Sequence, residues 1–162
     1  MKIKFLTTGG TIDKIYFDAK SEYEVGEPQI DAMLREAYVT VDHEVCQLMR
    51  KDSLDLTDED RQLIMCTIAD DACRHFVVTH GTDTMAETAR ALMRLENKVI
   101  VLTGALSPAR FRGSDAIFNI AMAMTACQVM PSGVYIAMNG RIFEGHRVRK
   151  NAERNRFESI VE

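Results

Sequence analysis

The stretch that decides the fold runs Phe76-Val77-Val78-Thr79-His80-Gly81-Thr82-Asp83-Thr84-Met85. Its first half is a short, β-branched-rich apolar run closed by a glycine, and its second half opens a helix. It reads as buried strand, polar turn and helix start. The same grammar recurs on both sides. Residues 3–8, 39–46, 99–103 and 134–138 give four further strands beside 76–79, each followed by turn residues. Helices fall between them. Pro28 opens one through Ile30, Met33 and Leu34. Thr57-Asp58-Glu59-Asp60 has the form of a capping box ahead of Leu63, Ile64, Thr67 and Ile68, and Thr84-Met85-Ala86-Glu87 fits that box, starting a helix to about Leu95. A fourth helix runs from about Ser114 to Met130. Strands alternating with helices predict an α/β fold of three layers, a mainly parallel sheet with helices on both faces.

Length and composition set the outer bounds. At 162 residues the chain is about one domain, residues 1–162, with no internal repeat or linker. Hydrophobic residues make up 46% and charged residues 27%, which excludes a disordered, collagenous or disulfide-framework chain. A net charge of -4 argues against a nucleic-acid-binding surface. Cys46, Cys66, Cys73 and Cys127 contain no Cys-x-x-Cys pair and read as free buried thiols. The apolar run framed by Lys2 and Lys4 breaks at Thr7, too short for a signal-peptide core, and nowhere are 18 consecutive residues apolar. A cytoplasmic protein without a membrane partner is expected.

Helix 114–130 is apolar nearly all round. Ile117, Ile120, Met124 and Cys127 share one side, while Phe118, Met122 and Val129 lie on others. Either it is a central core helix, or its outer face meets a second copy of the chain through an adaptable surface including Met122, Met124 and Met130. A homodimer or higher homo-oligomer is the expectation.

In open parallel sheets, ligands bind beyond the carboxyl ends of the strands. Those ends here read Thr7-Thr8-Gly9-Gly10-Thr11-Ile12, Thr79-His80-Gly81-Thr82-Asp83-Thr84, Thr103-Gly104-Ala105 and Asn139-Gly140. They are glycine-turned, hydroxyl-bearing bends that converge on one small polar ligand. Gly9-Gly10-Thr11-Ile12 has neither dinucleotide nor Walker spacing, which disfavours a nucleotide cofactor. His43, His75, His80 and His146 show no i, i+4 pairing and no cysteines at zinc spacing, so no metal is expected. His80 reads as a positioning residue. Hydroxyl chemistry remains: a threonine nucleophile needs a base for its proton and donors where the oxyanion forms. Thr82, Asp83 and a lysine suit such a relay, and tight turns at Gly10 and Gly81 would aim backbone N–H groups at the developing charge. Thr84 with Glu87 already fills the helix cap, which leaves Thr82 and Asp83 without that duty.

These residues resemble the N-terminal domain of the bacterial-type L-asparaginases, amidohydrolases that use threonine nucleophiles. Thr8-Gly9-Gly10-Thr11-Ile12 is similar to the first signature of that family and His80-Gly81-Thr82-Asp83-Thr84-Met85 to the second. Lys20-Ser21-Glu22-Tyr23-Glu24-Val25-Gly26 resembles the family's lid segment, Asp52-Ser53-Leu54-Asp55 its substrate-carboxylate loop, and Ser114-Asp115 with Asn119 the start of a family helix. The resemblance makes Thr11 the nucleophile of an acyl-enzyme, with Tyr23 assisting its proton transfer. Thr82, Asp83 and Lys150 form the second cluster, Lys150 being reached through Glu144-Gly145-His146-Arg147-Val148-Arg149. Ser53 holds the substrate α-carboxylate, the N–H groups of Gly10 and Thr82 form the oxyanion hole, Gly81 lies beside the substrate, and the Ala105 carbonyl faces the departing amide. Lys150 acts either as a neutral base or, paired with Asp83, as an ion that orients Thr82; its basic neighbours Arg147, Arg149, Arg154 and Arg156 also allow a purely solvated run.

The resemblance further implies a second domain of comparable size, which this chain is expected to lack, so substrate ammonium contacts come from elsewhere. Leu54 replaces a polar side chain of some relatives, which relaxes discrimination among amides. The expected activity is splitting of L-asparagine into aspartate and ammonia, with low glutaminase activity and no cofactor. A sensor or assembly subunit that binds the amide without turnover is the alternative. RNA binding through residues 147–156 is disfavoured by the acidic net charge.

Overall fold

The computed structural model describes residues 1–17 and 22–160. In chain order the elements are β1 (Lys2–Gly9), β2 (Lys14–Phe17), β3 (Glu22–Val25), α1 (Ile30–Glu36), β4 (Asp42–Lys51), α2 (Asp58–Asp70) and β5 (His75–Thr79). They continue with α3 (Met85–Leu92), β6 (Val99–Thr103), α4 (Ala116–Val129), β7 (Gly133–Met138), β8 (Arg141–Glu144), β9 (Val148–Asn151) and β10 (Arg156–Ser159). Short 3-10 turns lie at Thr11–Asp13 and Ser53–Asp55.

Six strands form the central sheet in the order β4-β1-β5-β6-β7-β8. All neighbours are parallel except β7 and β8. Alternation of side chains sends Phe5, Val77, Val101 and Tyr135 to one face, where Ile30 and Leu34 of α1 and Ile120, Ala123 and Met124 of α4 cover them. Leu6, Phe76, Val78, Ile100, Leu102 and Ile136 point to the other face, under Ile64 and Ile68 of α2 and Met85, Ala89 and Leu92 of α3. Each such large apolar side chain contributes roughly 1.5–3 kcal/mol when taken from water. The predicted three-layer α/β architecture with a mainly parallel sheet is therefore the observed one.

Several local expectations need correction. The second expected strand, 39–46, runs instead from Asp42 to Lys51 as β4, because Tyr38 adopts φ +54 after α1 and delays the extended backbone. The four cysteines are free, but only Cys127 is buried and Cys66 is exposed. Helix α3 stops at Leu92 rather than Leu95. Thr57 and Asp60 do form a capping box, whereas Thr84 caps nothing: its hydroxyl donates to the Ser53 carbonyl at 2.7 Å, and Glu87 pairs with Arg61 at 3.1 Å. Asn139-Gly140 is a two-residue hairpin turn between β7 and β8 with both φ positive, not a fourth ligand-facing bend. Helix α4 is not a central core helix. Ala116, Asn119, Ile120, Ala123, Met124, Ala126 and Cys127 form its buried side, while Ile117 turns outward with Phe118 and Val129, the last two 61% and 71% exposed. Among the described residues no helix is long and apolar enough to cross a membrane.

Candidate active site

From β1 the chain passes out to β4 and then returns to β5 on the other side of β1. Strand order reverses there, and the crevice beyond the carboxyl ends of β1 and β5 is where such a sheet accepts a ligand. Both ends turn on glycine. Gly9 and Gly10 have φ +100 and +90, and a Cβ added to Gly10 would lie 2.5 Å from the Cα and N of Gly81. A Cβ on Gly81 would in turn lie 2.6 Å from Cβ and Oγ of Ser53. Three backbones from distant parts of the chain are thus stacked in contact, which brings Thr11, Thr82 and Ser53, each in or next to the stack, to one place.

Hydrogen bonds lock the stack. Ser53 is fully buried, its Oγ accepts the Asp83 N–H at 3.2 Å, and its carbonyl holds Thr84. His80 is also fully buried. Its Nδ1 lies 2.7 Å from the Gly81 carbonyl, which can only accept, so Nδ1 carries the proton and Nε2 accepts from the Thr88 hydroxyl at 2.8 Å. Burial pushes the ring down to about 4, so it stays neutral, the charge state that this donor–acceptor pattern requires. The expected positioning part for His80 matches this arrangement.

Lys150 reaches the cluster from the β9–β10 hairpin. Its Nζ donates to Thr82 Oγ1 at 2.8 Å and to Asp83 Oδ1 at 2.6 Å. The Lys150 side chain is 14% exposed, against 66% for Arg149 beside it, so the basic run divides by strand alternation. Two contacts that the sequence did not reveal aim the hairpin. Arg90 of α3 donates to the Val148 carbonyl at 2.8 Å, and the Asn139 side chain accepts the Phe157 N–H at 2.8 Å. Val148 and Phe157 anchor it below, in the core with α3.

The remaining expected residues are less uniformly gathered. The Gly10 N–H is spent on the Lys51 carbonyl at 2.9 Å, which removes it from the expected oxyanion hole. Among the described residues the N–H groups of Thr11 and Thr82 have no partner, and with those of Gly81 and Ala105, also unpartnered, they are donors left at this place. Tyr23 lies half-exposed on β3, its ring 5.4 Å from Tyr16 and 6.0 Å from Phe111, and no hydrogen bond joins it to Thr11 among the described residues. Lys20 and Ser21 of the expected lid lie outside the described residues. Ala105 is buried and follows Gly104, whose added Cβ would meet the His80 carbonyl at 2.2 Å.

Asp13 is a further group that the spacing of motifs did not expose. It sits two residues after Thr11, buried, and accepts the Gln29 N–H at 2.9 Å while its own carbonyl accepts the Gly26 N–H at 2.8 Å. Burial pushes its carboxyl up to about 6, against the Gln29 hydrogen bond and the Arg50 charge. Its one sequence signal is an acid, paired in sequence with Lys14, between Ile12 and the apolar Ile15-Tyr16-Phe17 after the glycine turn.

Comparison with known proteins identifies the family of this fold. The family model described as Asparaginase, N-terminal, matches residues 2–160. A probable periplasmic L-asparaginase of Haemophilus influenzae is 32% identical over 93% of this chain and 46% of its own length. A glutamyl-tRNA(Gln) amidotransferase subunit of Methanococcus maripaludis is 30% identical over 99% of this chain and 42% of its own. The solved structure of the thermostable L-asparaginase of Thermococcus kodakarensis superimposes with a TM-score of 0.84 at 30% identity, covering 98% of this chain and 51% of that one. The chain spans about half the length of the curated relatives it matches. By its fold, its two threonine-bearing turns and these matches, the chain belongs to the asparaginase family and corresponds to that family's N-terminal domain.

Proposed function

We propose that the protein hydrolyses the side-chain amide of L-asparagine through an ester on Thr11. The observation that carries the reading is the contact of the Gly10 and Gly81 turns at the switch point, with Lys150 bridging Thr82 and Asp83 beside it. In this reading the Thr11 hydroxyl attacks the amide carbon, and its proton passes to Tyr23 or to a water. The carbonyl oxygen becomes an oxyanion facing the Thr11 and Thr82 N–H groups. Collapse of the intermediate breaks the C–N bond, the nitrogen takes a proton and leaves as ammonia. Water then attacks the ester carbon and returns the proton to Thr11, releasing aspartate. Lys150, held against Asp83, orients the Thr82 hydroxyl and places positive charge beside the intermediate. In this reading Ser53 receives the substrate α-carboxylate.

The family supports an amide of an amino acid as substrate. Preference for asparagine over glutamine, cytoplasmic residence and self-association belong to the proposal. The four free thiols suit a reducing compartment. Self-association draws on α4, a surface helix with no charged residue, whose Phe118 and Val129 stand exposed. Ammonia release from L-asparagine and L-glutamine tests the reading: turnover that Thr11→Val abolishes while the fold persists is expected, and undiminished turnover in that variant overturns it.

The likeness to glutamyl-tRNA(Gln) amidotransferase subunits favours one second reading, in which the chain works as part of a larger assembly. Calorimetry separates the two, because saturable asparagine binding without ammonia release selects the assembly component.

A further inference from the structure

Ala105 is almost wholly buried, yet among the described residues neither its N–H nor its C=O has a hydrogen-bond partner. Four backbone groups around it are held by α4 and the turn before it. The Asp115 carboxylate accepts the Leu106 N–H through both oxygens at 3.0 Å and the Ser107 N–H at 3.1 Å. The same carboxylate accepts Asn119 Nδ2 at 2.8 Å, and Nδ2 also donates to the Gly104 carbonyl at 2.9 Å. Ser114 closes the loop by donating to the Ser107 carbonyl at 2.8 Å.

Planarity converts these bonds into an aim. In the trans peptide between Ala105 and Leu106, the Leu106 N–H and the Ala105 C=O point in opposite directions. An N–H drawn onto Asp115 therefore turns the Ala105 carbonyl away from α4. Gly104, next to it, packs on the His80 carbonyl, one residue from Gly81, so the carbonyl is carried on the wall of the proposed site. A buried, unpaired acceptor fixed in direction fits a ligand N–H group.

We propose that Asp115, with Asn119, is a positioning residue that aims the Ala105 carbonyl at the N–H of the departing amide nitrogen. The assignment rests on the reaction proposed above. A carboxylate is required because three donors converge on it. In Asp115→Asn one oxygen becomes an NH2 facing the Leu106 N–H, and the peptide plane is released. The effect belongs to the leaving group alone, which distinguishes it from a general loss of structure.

The test compares L-asparagine with L-aspartate β-methyl ester, which yields the same aspartyl ester on Thr11 but expels methanol, a group without an N–H. For Asp115→Asn, kcat on the amide should fall roughly tenfold to a hundredfold, the range of one lost charge-oriented hydrogen bond, with KM little changed. The ester should lose less than about threefold, and Asn119→Ala should show the same split if Asp115→Asn does not fold. Parallel losses on amide and ester, or an unchanged amide rate, overturn the assignment while leaving the reaction standing. A wild-type protein that splits neither substrate overturns the reaction and this assignment with it.

Discussion

Gly10 lies against Gly81 so closely that a methyl group on the first would sit 2.5 Å from the Cα of the second. The contact joins the two turns that bear Thr11 and Thr82, and nothing larger than hydrogen fits between them.

Gly10→Ala should therefore cost more than backbone strain alone. Gly113 provides the comparison, since it also has positive φ, at +83, but an added Cβ there meets nothing within 4 Å. Gly113→Ala should destabilise by about 1 kcal/mol and leave activity intact, whereas Gly10→Ala should cost about 3 kcal/mol or more and separate the loops. Urea unfolding of the two variants checks this. Equal losses would show that the turns have room to part.

Lys150 should matter through its two contacts, not through membership of a basic surface. Lys150→Met should lower ammonia release roughly a hundredfold to ten-thousandfold, the span seen for a lost proton-transfer or charge-stabilising group. Arg149→Met, on the outward side of the same strand, should change it by less than about threefold. Steady-state rates of both variants decide the matter, and a small effect at Lys150 would return it to the solvated run.

Two buried groups give opposite pH dependence to stability. Burial raises the Asp13 carboxyl from 3.8 to about 6, so its contribution is full below 3.8 and is lost as pH rises through about 6. Burial lowers the His80 ring from 6.5 to about 4, so its contribution is present above 6.5 and is lost as pH falls towards 4. Each shift corresponds to a contribution on the order of 3 kcal/mol. Relative to Asp13→Asn, whose amide oxygen still accepts from Gln29, the wild type should lose stability between about pH 4 and 7; relative to His80→Asn it should gain. Urea midpoints across that range measure both slopes. Parallel curves for wild type and Asp13→Asn would mean that Asp13 does not titrate there.

The parallel sheet was legible because four of its five parallel strands, β1, β5, β6 and β7, carry apolar runs closed by turn residues, a local signal, whereas β4 mixes charged with apolar residues and its bounds are displaced. The gathering of Thr11, Ser53, Thr82, Asp83 and Lys150 was legible only through resemblance, since Lys150 meets Thr82 across 68 positions and no periodicity encodes that distance. Capping shows why local grammar fails at a site. Thr84-Met85-Ala86-Glu87 has the better box sequence, yet the tertiary pull of Ser53 takes the hydroxyl, while the plainer Thr57 box forms with the Thr57 hydroxyl free, among the described residues, of any tertiary partner and Asp60 shared with Lys51. Asn139-Gly140 has the composition of either a ligand bend or a hairpin turn, and pairing of β7 with β8 selects the second. The small hairpins β2–β3 and β9–β10 are not legible because each of their strands is only four residues long and carries charge, so that even the alternation of Glu22–Val25 is too short a signal.

The most direct test asks which oxygen takes the acyl group. L-asparagine mixed with the protein, quenched in acid within milliseconds and digested, should yield an aspartyl ester on the peptide bearing Thr11, visible by mass spectrometry and absent from Thr11→Val. An ester on Thr82 instead, or steady ammonia release with no ester on either threonine, would contradict the account.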